Sequence, residues 1–334
     1  HSPSITHVGG EGFLDFEVTA ADIQSGNAVV AVTKGSGASK TVLWSWHLWF
    51  APKDALDKIP VTNYQGVVYN FTKEALGWKP TQWSGSTYDK PRTVKVKVEQ
   101  TVANNGTKQE AIINITQNPG NVKKGATTLY QFGRKDAFPG VATSDLKAGG
   151  ITENAGDNMT IVNNIQNPDK FYIYGSSVYT NYGYYNLWSA DNTVTGGYNV
   201  GNDNPVVKTV YDPSPVGFKM PANNAFTGFT TTGQNSTSQS ELNVDGTDDW
   251  QQWTNNFGHN FWTNSSKTAT INFPASGLRV SNDGSLYGVG SNGYCWSAVP
   301  GNTGNGCSLY FRSGGVYPLN YSSRSCGFPV RAVS

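Results

Sequence analysis

Residues 92–117, RTVKVKVEQTVANNGTKQEAIINITQ, constrain the fold more than any other stretch of this chain. Apolar and polar residues alternate along Thr93–Val102 and Glu110–Thr116, and a period of two marks a β-strand with unlike faces. ANNGTK separates the two runs, and an Asn-Gly step supplies the positive φ values that a tight hairpin turn needs. The lysines fall on one face. The reading is a hairpin inserted at about residues 91–120, with one face in water.

The same patterning recurs elsewhere. GFLDFEV alternates, NAVVAVT is a β-branched run bounded by the glycines of KGSGAS, and TVLWSWHLWF comes next, which predicts a further hairpin over residues 27–50. APKDALDKIP reads as a short helical turn or loop. Near the carboxyl end, GLRVSNDGSLYGVGSNGYCWSA, CSLYFRSGGVYPLNY and CGFPVRAV predict three or four short strands joined by glycine turns. Between these strand-rich ends, LYQFGRKDAFPG and FYIYGSSVYTNYGYYNLW carry no clear period. The best helix candidate is Asp248–Asn255, with acids in its first turn and Gly258 beyond its end. In YDPSPVGFKMP, Tyr211–Pro221, three prolines fix φ and remove donors, so the chain there takes one rigid, non-repetitive path.

Composition narrows the function classes. Charged residues make up 14% against a usual quarter, and 24 basic residues nearly cancel 23 acidic ones. A net charge of +1 offers no electrostatic case for nucleic acid or an anionic membrane surface. No apolar run approaches the roughly 18–20 residues of a helical membrane span. With 13% aromatic residues and 38 glycines, the chain has the composition of a loop-rich extracellular surface protein. His1 reads as the start of a mature or truncated chain. Of Cys295, Cys307 and Cys326, one disulfide and one leftover thiol is the simplest count. Cys295 with Cys307 closes the shortest loop and is the expected pair.

Catalytic signals are weak. His47 sits in an aromatic strand and His259 in NFGHNFW, both read first as structural, and GxSxG, HExxH, P-loop and CxxC patterns are absent. No organic cofactor is expected. Calcium is the one metal whose chemistry is supplied: Asp245, Asp248 and Asp249 in DGTDD, and Asn202, Asp203 and Asn204 in GNDN, offer hard oxygen donors without EF-hand spacing. Turn and helix-cap duty is the competing reading. The expected glycan-binding set is Tyr182, Tyr184, Tyr185, Trp188, Asp191, His259 and Trp262. Rings would stack on apolar sugar faces while amides and carboxylates took the hydroxyls. The competing reading makes the same rings staples that hold long loops down.

Four ordered stretches, WSWHLWF, LYQFGRKDAFPG, YDPSPVGFKMP, and CSLYFRSGGV with GFPVRAV, resemble the fimbrillin-associated surface proteins of Bacteroidetes, in particular the Fibrobacter succinogenes major paralogous domain. The resemblance runs from about Asn27 to Val333. It implies a β-rich α+β fold, C-type lectin-like, with long irregular loops and the inserted β-hairpin, preceded by a strand region at 1–26. It also implies that the proline stretch leads into a short helix near Asn223–Phe229. The family usually carries cysteines where this chain has Ser214 and Ala332, which fits the loss of one disulfide. The distantly related formylglycine-generating enzymes depend on active-site cysteines that find no match here. The expectation is therefore a non-enzymatic, extracellular, outer-membrane- or pilus-associated adhesin or accessory protein, secreted or lipid-anchored. Its expected partners are host or microbial glycans, surface proteins or pilus subunits. A structural pilin-like subunit is the first alternative, and a carbohydrate-active or sulfatase-maturation enzyme the second.

Overall fold

The structure, a computed structural model, describes residues 4–19, 23–83, 92–103, 105–117, 122–146, 149–174, 187–191, 196–246, 250–301 and 304–334. Strand makes up 43% and helix 9%, arranged as small antiparallel sheets and a half-barrel. The expected α+β, C-type lectin-like fold is thereby corrected: the molecule is β-rich, and among the described residues its helices are single turns or two. Ile161–Gln166 and Trp250–Asn256 are α-helical and Asn223–Phe229 is a 3-10 helix. The reason is local. Glycine, asparagine and proline interrupt every run before the three or four turns at which an amphipathic helix becomes stable.

Hairpins supply the regular structure. Gly26–Lys34 pairs with Thr41–Phe50, Lys58–Thr62 with Val68–Thr72, Arg92–Glu99 with Glu110–Gln117, and Gly258–Trp262 with Thr270–Pro274. At the 92–117 turn, Asn105 and Gly106 take φ of 52° and 80°, the left-handed values that the Asn-Gly step allows. Long-range pairing appears in a five-stranded sheet ordered Phe138–Pro139, Thr128–Gln131, Gly327–Phe328, Leu278–Arg279, Leu286–Tyr287. A three-stranded sheet of Asn292–Pro300, Asn305–Arg312 and Gly315–Ser323 lies beside it.

That three-stranded sheet separates two hydrophobic clusters. Cys295, Leu309, Phe311 and Val316 join Phe71, Phe226, Phe229, Phe261 and Phe273 on one side. Trp296, Ala298 and Cys307 join Tyr130, Phe132, Trp188 and Phe328 on the other. Neighbouring residues of a strand point to opposite faces, so Cys295 and Trp296 enter different clusters. The expected Cys295–Cys307 bond is corrected: Cys295 lies opposite Leu309 in the ladder and in the first cluster, Cys307 lies opposite Tyr321 and in the second, and all three cysteines are buried free thiols. Burial raises the thiols of Cys295 and Cys307 to about 12 and that of Cys326 to about 11, which makes them inert.

The proline stretch is scaffold. Asp212 accepts from the Ser214 and Met220 amides at 2.8 and 2.9 Å, closing the loop on itself. Lys219 exchanges two 2.8 Å backbone hydrogen bonds with Val333, which ties the loop to the carboxyl end just before the Asn223–Phe229 helix. Buried arginines tie irregular segments in the same way. Arg279 donates to the carbonyls of Pro139, Val141 and Gly284 at 3.0, 3.1 and 2.7 Å, and to Glu153 at 2.8 Å. Arg331 reaches the carbonyls of Thr72, Lys73 and Asn272 while its guanidinium lies 4.5 Å from the centre of the Phe273 ring. A guanidinium has five donors in a planar fork, so one side chain satisfies several backbone carbonyls, on strand ends and edges as well as in loops.

Candidate functional site

The Gly26–Phe50 hairpin is docked through its inner face. Register places Ser45 opposite Ala31 and His47 opposite Val29, so Ser45 and His47 look the same way. Ser45 donates to Asp136 Oδ1 at 2.9 Å, and Lys135 Nζ bonds both Ser45 Oγ and that same Oδ1, the latter at 2.7 Å. Arg134 holds the other oxygen, Oδ2, through Nη2 at 2.8 Å and Nε at 3.2 Å. Two cations thus share one buried carboxylate. Burial pulls Lys135 below the usual ammonium range, and the charge of Asp136 opposes that shift. A lysine beside a serine hydroxyl is also the arrangement of a Ser–Lys nucleophile. Here Ser45 is 2% exposed with its hydroxyl engaged by Asp136 and Lys135, and the space of about 10 Å³ beside Lys135 and Asp136 has room for one water.

His47 completes the docking. Its Nε2 lies 2.8 Å from Asn27 Oδ1 and its Nδ1 lies 2.8 Å from the Tyr130 hydroxyl. Asn27 Nδ2 is spent on the Gly77 carbonyl, so Oδ1 must accept, which puts the proton on Nε2 and leaves Nδ1 to accept from Tyr130. Trp49 Nε1 donates to the Trp78 carbonyl at 3.1 Å. Burial pushes the His47 pKa down to about 4.

Beside this face runs a groove of about 360 Å³. Asn27, Val29, Ala31 and Val42 form one wall, and Ala137, Pro139, Leu146, Ile151 and Pro168 the other. Asn27, Ala28 and Val29 line it in succession, which a strand can do only along its edge, and the Gly26–Lys34 strand has one ladder partner. The His47 and Asn27 polar atoms are already used by their neighbours. The groove therefore favours an apolar occupant.

The Arg92–Gln117 ribbon is a second accessible surface. Every residue of both its strands is exposed, and its two strands form a sheet of their own. Register places Val94 against Ile115, Val96 against Ile113 and Val98 against Ala111, all on one face. The opposite face carries Lys95, Lys97, Glu99 and Glu110, with Lys97 bonded to both glutamates. The lysine-bearing face matches the alternation in the sequence. The aliphatic face is open too, with Val94 and Ile115 62% and 57% exposed, as in a hairpin that projects from the body.

The expected glycan set is not one surface. Tyr182, Tyr184 and Tyr185 lie outside the described residues. Trp188 is 0% exposed, its Nε1 donates to the Arg134 carbonyl at 3.0 Å, and its ring lies 4.9 Å from Phe132. Asp191 is exposed three residues on. His259 and Trp262 stand on one strand at odd and even positions, so they face opposite ways. His259 is packed among Trp253, Phe261 and Phe311 at 4.8, 5.3 and 5.7 Å, and its Nε2 meets the Arg312 carbonyl at 3.2 Å. The described aromatics nearest to a platform carry no signal in the sequence. Tyr294, Tyr310 and Tyr317 stack on one another at 4.8 and 5.1 Å, and Phe328 stacks on Tyr294 at 4.4 Å, which occupies both ring faces of Tyr294 and Tyr310. Their cross-strand alignment depends on the register, which no local pattern encodes.

Asp245 is exposed, and Asp248 and Asp249 lie outside the described residues. Among the described residues, no three His, Cys, Asp or Glu side chains gather closely enough to hold a metal. Asp203 of the GNDN stretch accepts from Asn63, Tyr69 and Asn224 at 2.8, 2.6 and 2.8 Å, a loop-tying role.

Burial also pushes the His259 pKa down to about 4 against an ordinary 6.5. A depressed histidine is neutral when folded and takes up a proton on unfolding, so its stability contribution is whole above about pH 6.5 and is lost toward pH 4. For His259 alone this amounts to about 3 kcal/mol at about 1.4 kcal/mol per pH unit. Urea unfolding at pH 7 and pH 4.5 should show the loss, and His259→Phe should flatten that part of the profile. An unchanged slope in the variant would assign the loss to other groups.

Among the described residues no helix is long and apolar enough to cross a membrane. No curated protein matches the chain, and no solved structure does. Residues 257–333, which take in the His259 strand, the three-stranded sheet and the closing strand, are similar to the family model described as a domain of unknown function (DUF8237).

Proposed function

We propose that this chain is a cell-surface or pilus-associated subunit that binds other protein chains and performs no chemistry of its own. One observation carries the reading: the Arg92–Gln117 ribbon, exposed on both faces, with Val94, Val96, Val98, Ile113 and Ile115 open to water. A lone two-stranded ribbon is marginal in water, and a contiguous aliphatic face marks an interaction surface. Free strand edges accept a further strand through backbone hydrogen bonds, with side-chain pockets or faces adding selectivity. The low charge, the aromatic content and the four motifs resembling Bacteroidetes surface proteins support placing it outside the cell. Protein chains are favoured over glycans because the exposed face of the ribbon is aliphatic, while Tyr294 and Tyr310 have both ring faces taken by neighbouring rings.

The test is a photo-crosslinking residue at Val96, with the protein kept in the cell envelope of its producer. A covalent adduct to a defined protein chain, absent when the crosslinker sits at Val216 on the proline loop, is expected. Adducts to glycan, or adducts equally frequent at both positions, would overturn the reading.

A further inference from the structure

The two edges of the ribbon are not alike, and the difference selects a partner. Along Arg92–Glu99, Lys95 and Lys97 occupy the middle of the strand. The two antiparallel registers with a second copy that overlap seven residues of this strand and keep the aliphatic faces together are centred on Lys95 and Val96. The first puts Lys95 against itself, and the second puts Lys95 against Lys97 twice. Like charges directly opposite are destabilising, and lysines on an edge are a recognised guard against strand addition.

Along Glu110–Gln117 the guard is missing. From Ala111 to Gln117 the strand reads AIINITQ, seven residues with no charge, proline or glycine. Centred on Ile113, antiparallel pairing of two copies sets Ile113 on Ile113 and Ala111 on Ile115 on the aliphatic face. The other face receives Ile112 on Asn114 and Glu110 on Thr116. No like charges meet, and each copy presents the same residues to the other, as a two-fold interface requires. The partner whose complementarity is written in this strand is the strand itself.

We propose that a second copy of this chain docks on the free edge of Glu110–Gln117, two-fold about Ile113, forming a four-stranded antiparallel sheet from the two ribbons. The lysine-bearing outer edges then stop further strand addition, so association closes at two copies. This rests on reading the ribbon as the partner-binding element, and it names the partner.

Three variants test it by sedimentation velocity across a wide concentration range. The native chain should dimerise as concentration rises. Ile113→Lys, which sets lysine on lysine at the two-fold centre, should abolish the dimer while the monomer, measured at low concentration, melts as the native monomer does, since the residue is 51% exposed. Val94→Lys, on the same aliphatic face but the far strand, should leave the dimer intact. Ile113→Cys should give a covalent dimer under mild oxidation and Val94→Cys should not, because the three native thiols are buried. A native chain that stays monomeric, or a dimer lost equally with Val94→Lys, overturns edge pairing. The second result would mean that the aliphatic faces stack instead. A monomer in solution that still crosslinks through Val96 to a different protein overturns self-pairing while upholding the partner-binding reading; a monomer with no adduct overturns both.

Discussion

Asp136→Ala is expected to lower the unfolding free energy by about 3–5 kcal/mol, the cost typical of leaving a buried charge without its counter-ion. The expected loss is large because three groups depend on this carboxylate. Arg134 and Lys135 would remain in the interior as uncompensated cations, their side chains 1% and 9% exposed. Ser45 would lose its acceptor, and with it the hairpin Gly26–Phe50 would lose its innermost hydrogen bond to the body. The residue cannot simply rehydrate, since the adjoining space admits one water. Asp136→Asn keeps an acceptor for Ser45 but not the charge, so it should fall between the native protein and the alanine variant. Urea midpoints of the three proteins measure this. A loss below about 1 kcal/mol, the worth of an exposed pair, would mean that the cluster opens to solvent and that the hairpin is held by other contacts.

Trp188→Ala should be comparably damaging, about 3–5 kcal/mol, the range for truncating a fully buried large aromatic. The side chain is 0% exposed, packs against Phe132, and donates to the Arg134 carbonyl, so the variant loses a large ring and orphans an acceptor next to the charge cluster. Trp188→Phe should recover most of the packing and forfeit the hydrogen bond, worth about 1 kcal/mol net. These sites share Arg134, so the Asp136 and Trp188 losses should not add in the double variant. A Trp188→Ala protein that melted as the native one does but lost a ligand would restore the ring to the surface role that its tyrosine-rich surroundings suggest.

How far the fold could be read in advance depends on the range of the interaction that decides it. The 92–117 ribbon and the 27–50 hairpin come from alternation and from turn residues, and both form where the pattern put them. The Trp250–Asn256 helix lies within two residues of its expected span, because capping and helix-terminating preferences act over one turn. Asn223–Phe229 is a short helix, as the resemblance implied. The lectin-like α+β architecture is not formed, since the order of motifs along a chain leaves open which strands pair.

Local patterning sets the elements whose partners lie within a few residues: hairpins, turns, short helical turns and the rigid proline loop. Their backbone hydrogen bonds close locally, and local preference suffices. Which aromatics are interior, which side of the sheet each cysteine enters, and which carboxylate is buried follow from long-range packing. Trp188 stands among tyrosines and glycines like a surface ring, yet it is core because Phe132 and the Arg134 carbonyl, the latter 54 residues away, close over it. Cys295 and Cys307 are near in sequence yet enter opposite clusters, because their sheet is buried on both sides. Asp136 is indistinguishable from a loop acid until Ser45, 91 residues earlier, is folded onto it. Burial is a property of the assembled sheets, and period-two patterning carries it only where one face stays in water.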